Sequence, residues 1–152
     1  MSTLDLLTLH LIATCTVFGI LLVVQVVHYP LFALVGREHF QAYEQVHIRL
    51  ISYVVVVPML LELTTGAWLV VRLPPEITPW ILLLGIFLIA VFWLSTMVLQ
   101  GPINFQLADG FDSKLHRKLV STNWIRTITS GVRVIVVAYM LYTFTSAPSV
   151  TV

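Results

Sequence analysis

The stretch WILLLGIFLIAVFWLSTMVLQGP, residues 80–102, carries no charged side chain along its whole length. A bilayer's hydrocarbon core is about 30 Å thick, and a helix needs about 20 apolar residues to cross it. The stretch is therefore predicted to span a membrane as a helix, and the fold depends on how often the pattern recurs. It recurs over 8–35, 50–71 and 122–145. Composition agrees: 59% of the 152 residues are hydrophobic and 10% are charged, with a mean hydropathy of +0.97. Soluble domains carry about 25% charged residues. The chain is predicted to be all-α, an integral membrane four-helix bundle forming a single transmembrane domain over 1–152.

Four spans in 17.1 kDa leave no room for a separate soluble domain, and the connections 36–49 and 103–121 are too short to fold alone. A net charge of +1, with no basic cluster clear of the membrane flanks, gives no reason to expect a nucleic-acid partner. The single cysteine, Cys15, excludes an internal disulfide and a Cys-rich metal site, and is expected to be a buried, inert thiol. No Lys or Arg precedes Arg37, so the basic region of a signal peptide is missing and 8–35 reads as a retained span. Arg37, Arg49, Lys114, Arg117 and Lys118 lie on the two longer connections, against Arg72 alone on the other side. The positive-inside rule then places both longer connections in the cytoplasm and both termini outside, the expected membrane being a bacterial inner membrane. Trp80 and Tyr142 fall near the outer interface, where amphipathic rings are favoured.

The two halves echo each other. The first span closes on His28-Tyr29-Pro30 and the third on Gln100-Gly101-Pro102, a polar residue two before a proline each time. After a polar connection, His47-Ile48-Arg49 and Trp124-Ile125-Arg126 lead into the next span. The pattern suggests two repeated helical hairpins, with chance similarity of apolar sequence as the competing explanation. Each proline lacks a donor for the helical ladder and is expected to end or bend its helix. Ser121 or Thr122 is a candidate cap for the fourth span, residues 38–50 are a candidate extension of the second, and Asp109-Gly110-Phe111-Asp112 reads as a turn.

Polar residues inside the spans recur at spacings of three and four, which is one face of a helix. His10, Thr14, Gln25 and His28 share such a face in the first span, and Glu44, His47, Glu62 and Thr65 in the second. Trp93, Thr96, Gln100 and Asn104 do so in the third, and Asn123, Arg126, Ser130 and Arg133 in the fourth. Polar groups facing hydrocarbon cost several kcal/mol each, so the stripes should point inward. Glu62 lies about 9 residues, or ~14 Å, from the outer end of its span, with Arg133 at comparable depth. An unpaired charge there costs about 3 kcal/mol, so an intramembrane ion pair between Glu62 and Arg133 is predicted.

A second layer gathers Gln25, His28, His47, Gln100, Asn104, Asn123 and Arg126 near the longer connections, with His116 a further candidate. Such a pocket suits a polar headgroup, an oxygenated ring or a metal. Buried amides and ion pairs also serve only to fix helix register, which is the structural alternative. His39 and His116 otherwise read as solvated loop residues, and His10 as an isolated residue near the outer face. No His-x3-His or Glu-x-x-His pair lies within a span, so no metal ligand is assigned, although His28, His47 and His116 are candidates to meet across helices and opposed His28 and His47 are candidate axial ligands for haem. No nucleophile motif and no phosphate-cradling glycine loop occurs.

His28-Tyr29-Pro30, then Pro102-Ile103-Asn104 through Leu107, then Trp124 leading to Arg133 resemble a family of small four-span membrane proteins that includes the anthrone oxygenases. That family carries a His-Pro pair, a Pro-x-Asn and a Trp leading to an Arg in matching places. Here Tyr29 separates His28 from Pro30, nine positions separate Trp124 from Arg133, and Thr127 and Ile128 stand where an intervening histidine is expected. The resemblance implies oxidation of a polyketide anthrone to an anthraquinone. On that reading a neutral His28 or His47 removes an acidic ring proton, and Arg126, Asn104 or Gln100 stabilises the enolate oxygen. Trp124 would form part of the aromatic wall, with Gln25 and Asn123 completing the substrate-binding set. The substrate itself reduces oxygen, so that chemistry calls for no redox cofactor.

The first functional expectation is a small membrane oxygenase or oxidoreductase acting on a lipophilic ring compound. The alternatives are a non-enzymatic membrane protein for lipid or partner binding or complex assembly, and a proton- or solute-conducting oligomer. The expected partners are the lipid bilayer, a lipophilic small molecule and, for conduction, further copies of the chain. Whether it is an enzyme stays open at this point, and the cofactor is unknown.

Overall fold

The first helix begins at a capping box. Ser2 Oγ accepts from the Asp5 N–H while the Asp5 carboxylate accepts from the Ser2 N–H, so two orphan donors are satisfied reciprocally. A computed structural model describes residues 1–147, and in it this helix, α1, runs Thr3–Leu34. It is followed by α2 (Arg37–Arg72), α3 (Pro79–Leu107) and α4 (Ser113–Ser146). All four are long and apolar enough to cross a membrane, and no strand occurs among the described residues. Residues 148–152 of the domain expected over 1–152 lie outside the described residues. Short connections make the helices alternate in direction. Each packs on its neighbour in sequence and α1 closes the bundle against α4, the α2–α3 side having the sparsest packing.

Two helices start earlier than their apolar stretches. Gly36, at φ +80°, turns the chain so that α2 begins at Arg37, well before residue 50. Asp112 caps α4, its carboxylate accepting from the N–H groups of Leu115 and Lys114, both at 2.8 Å. Those two bonds hold the Asp112 carboxyl below the usual carboxylate range. Ser121 and Thr122 are therefore not caps: they lie inside α4 and donate to the carbonyl of Lys118.

Neither Pro30 nor Pro102 ends its helix. A π-helical turn, Val24–His28 in α1 and Thr96–Gln100 in α3, comes immediately before each. It closes with the Tyr29 N–H bonded to Val24 O in one case and the Gly101 N–H to Thr96 O in the other. Both bonds reach back five residues from the residue before the proline. Widening the ladder accommodates a ring that would clash with the carbonyl four residues back, so the helix continues past it. Both hairpins thus carry the same device at the same offset.

The interior alternates apolar and polar layers. Tyr29, Phe32, Phe40, Ile103, Leu107 and Leu119 fill the end carrying the longer connections, here the connection end. Val17, Leu21, Met59 and Phe92 form a middle layer, and Leu6, Leu7, Leu69, Leu82 and Met140 fill the terminal end. At Gly66 a Cβ would come within 2.6 Å of Ile89 Cδ1 and 3.1 Å of His10 Cε1, so glycine there permits α1 and α3 to close on α2. Cys15, expected inside, is exposed on the outer surface of α1.

Candidate functional site

Between the middle and terminal apolar layers, Arg133 Nη2 meets Glu62 Oε1 at 2.5 Å, with both side chains at most 1% exposed. The Nε and Nη1 groups of Arg133 and the hydroxyl of Ser130 have no hydrogen-bond partner among the described residues. His10 is not isolated: it meets Thr65 Oγ1 at 2.8 Å. The Thr65 hydroxyl donates to Leu61 O, so the His10 Nδ1–H is the donor in that contact.

The connection-end layer holds two connected polar groups. In the first, His28 Nε2 and His47 Nδ1 are 2.9 Å apart and share one proton. Phe32 meets both rings edge-on, and Tyr43 lies parallel to His47 at a centroid distance of 6.3 Å. The pair lines an apolar groove of about 810 Å³ between α1 and α2, walled by Val23, Val46, Leu50 and Val54. The same seam continues toward the terminal end as a further depression of about 520 Å³ beside Ile12, Thr16 and Pro58.

In the second group, Asn123 is the hub. Its Nδ2 donates to Gln25 Oε1 at 2.8 Å, while its Oδ1 accepts from both Nε and Nη2 of Arg126. Gln25 Nε2 donates to Val120 O. Tyr29 Oη accepts from Asn104 Nδ2 at 3.2 Å and from Arg126 Nη2 at 3.4 Å. His116, read from sequence as a solvated loop residue, is buried on α4 and bonds Tyr29 O at 2.8 Å. A carbonyl only accepts, so the proton sits on His116 Nε2.

Three residues stand apart from both groups. Gln100 is fully buried, but its partner is Ser95 Oγ. Trp124 is 44% exposed on the outer face of α4 and lines neither the groove nor its continuation, and the aromatic ring on the groove wall besides the two imidazoles is Tyr43. Glu44 is fully buried with both oxygens unpartnered, one helical turn before His47, and lines neither the groove nor its continuation. Because α2 starts at Arg37, Glu44 and His47 form a Glu-x-x-His pair on a helix after all, beyond the apolar span in which it was sought. Among the described residues no three His, Cys, Asp or Glu side chains are placed to hold a metal ion together.

Sequence reasoning missed Tyr29, treated only as an interruption of a His-Pro pair, although it links Asn104, Arg126 and His116. The available signal was Pro30 immediately after it, whose ring calls for a widened turn that rotates Tyr29 inward.

The histidine pair is chemically bifunctional. If His47 Nδ1 donates, His47 Nε2 keeps a lone pair and His28 Nδ1 carries a proton; if His28 Nε2 donates, the roles exchange. In either tautomer the neutral pair offers one base and one acid, and a proton taken up at one end is passed on through the shared bond. No family model, curated protein or solved structure matches the chain.

Proposed function

We propose that this integral membrane protein takes a lipophilic ring compound from the bilayer into the α1–α2 groove and oxygenates it, with the His28–His47 pair as general base. The observation that carries this reading is a hydrogen-bonded histidine pair on the wall of a large apolar groove. Such a groove suits a flat, weakly acidic ring far better than a hydrated substrate. The pair removes one proton from an activated ring CH2, and the carbanion's charge passes to the ring oxygen as an enolate. The enolate gives one electron to O2, and the radical pair combines to a hydroperoxide at that carbon. Loss of the second C–H proton, with hydroxide leaving from the O–O bond, yields a ketone and water. One O2 accounts for both oxygen atoms and all four electrons. Arg126, Tyr29 and Asn104, across His47 from the groove, would face the enolate charge. The membrane is proposed to be a bacterial inner membrane, with the connection end in the cytoplasm.

The test is oxygen uptake by nanodisc-embedded protein given an anthrone, with quinone formation followed by absorbance. A positioned base contributes about 10²–10⁴-fold, so His47→Ala should lose at least about 100-fold in rate while its melting curve stays near wild type. Turnover unaffected by His47→Ala and His28→Ala would overturn the reading. The seam's continuation along α1 and α2 favours a second reading, a site for a lipid chain, which predicts binding without oxygen uptake.

A further inference from the structure

On the other side of His47 lies a smaller cleft of about 280 Å³, reached between α2 and α3 where the bundle packs most sparsely. Ile20, Val24, His47 and Ile51 line both spaces, so the cleft and the apolar groove adjoin at these four side chains. The cleft's polar lining offers donors from Arg126, Trp93 and Tyr29, beside one buried acceptor without a donor, Asn104 Oδ1. Arg126 is 8% exposed and has no acidic partner among the described residues. The Trp93 indole N–H is buried and without an acceptor. Tyr29 Oη already accepts from two donors, which leaves its own proton free. If the Asn104 amide were turned over, its oxygen would take that proton but two N–H groups would be freed in exchange. Each choice leaves a buried donor without an acceptor and a buried positive charge without a counter-charge. A neutral or cationic occupant would leave that charge uncompensated, whereas an oxyanion supplies lone pairs to every donor and compensates the guanidinium.

We propose that the Arg126 cleft is a preformed oxyanion site, and that the protein's ligand is an acidic amphiphile. Its ionised oxygen is held by Arg126, Trp93 and Tyr29, while its apolar body crosses beside His47 into the α1–α2 groove. This rests on the preceding reading only for where the apolar body lies; the anion site is argued from its own donors. It defines the substrate class as a lipophilic carboxylate, or a phenol or enol that ionises in the site. It also places the charged end next to the histidine that would act on the ring.

The test is equilibrium binding to protein in phosphatidylcholine nanodiscs, corrected for partition into empty discs. Three probes of like shape are compared: 4-octylbenzoate, its methyl ester and 4-octylphenol. Hydrogen bonds to charged groups are worth enough that the benzoate should bind at least about tenfold tighter than the ester. Arg126→Gln should remove that preference, and Trp93→Phe, which deletes one donor and keeps an aromatic ring, should weaken benzoate binding at least about threefold. If Arg126→Gln fails to fold, the Trp93→Phe titration decides. Tight binding of the benzoate alone assigns a standing carboxylate, and equally tight binding of the phenol assigns a phenolate formed in the site; both support an oxyanion. Ester and acid binding alike, or both variants matching wild type, would overturn it. Loss of the oxygenase reading, seen as turnover indifferent to His47, would leave this binding preference intact, and the reverse also holds.

Discussion

Replacing Glu62 by Gln takes one charge from the middle of the bundle and leaves its partner there alone. The two side chains are 0% and 1% exposed and meet at 2.5 Å. Glu62 lies ten residues from the end of α2 at Arg72, about 15 Å along the axis, near the centre of a hydrocarbon core about 30 Å thick. Two independent estimates of the cost agree. Removing one member of a buried pair destabilises by about 3–5 kcal/mol, and a lone Arg at mid-bilayer costs about 3 kcal/mol on insertion scales. Arg133 cannot turn to another acid, since the described residues include no second carboxylate in contact with it. Two of its donor groups already lack partners. The reverse change, Arg133→Met, should cost less, because an orphaned carboxyl can take up a proton and shed its charge, whereas a guanidinium cannot. The double variant Glu62→Leu/Arg133→Met removes both charges and should be more stable than Glu62→Gln alone. Unfolding by SDS in mixed micelles, followed by tryptophan fluorescence, measures all three. A Glu62→Gln cost below about 1 kcal/mol, or a double variant no better than the worse single one, would refute the argument.

Two further outcomes concern the connection end. The Asp112 carboxyl sits below the ordinary carboxylate range because it accepts from the Leu115 and Lys114 N–H groups. Its contribution to holding the start of α4 is therefore complete above the ordinary carboxylate range and is lost as pH falls through the lowered value. Amide exchange at Lys114 and Leu115 should quicken in that acid window in wild type, while Asp112→Ala should exchange fast at every pH; a pH-independent wild type would count against the cap. For orientation, Asp109→Cys and Glu76→Cys, both at exposed positions on opposite ends of the bundle, are made in a Cys15→Ser background. An impermeant maleimide should label Glu76→Cys in intact cells, and Asp109→Cys only after permeabilisation; the opposite pattern inverts the proposed topology.

What the sequence made legible follows from which signals are additive. Hydropathy summed over twenty residues found all four helices, and the spacing of Glu62 and Arg133 in their stripes put them at one depth, where the structure brings them together. Hydropathy is a poor guide to where a helix begins, because helix continues past the hydrocarbon until a cap stops it. The misreading of His116 has that cause. Once α4 starts at Ser113, His116 falls at spacings of three, four and three with Leu119, Asn123 and Arg126, which is the buried face. Trp124, one residue beyond Asn123, is turned about 100° away from that face and so is exposed. Extending the helical period backward from 122 would have placed His116 correctly, and the stripe of Asn123, Arg126, Ser130 and Arg133 already excluded Trp124.

Tyr29 was concealed by something local. A continuous α-helix carries its inward stripe from Leu21 through Gln25 to His28 and Phe32. The π turn over Val24–His28 inserts one residue into that course, and the inward stripe becomes Leu21, Gln25, Tyr29 and Phe32. Tyr29 thereby reaches the bundle centre, where its hydroxyl meets Arg126 and Asn104, and His28 is left half-buried, turned toward α2 and the His47 ring. Had the α pattern continued, His28 would take the central position and the groove would lose one of its two imidazoles. The proline two residues on is what makes the wider turn favourable, because an unwidened ladder would set its ring against Val26 O. The short His-Tyr-Pro sequence therefore does two things with one residue of slack. It relieves the proline, and it divides two adjacent side chains between two clefts, the His28 imidazole on the apolar groove and the Tyr29 phenol beside Arg126 in the cleft beyond it.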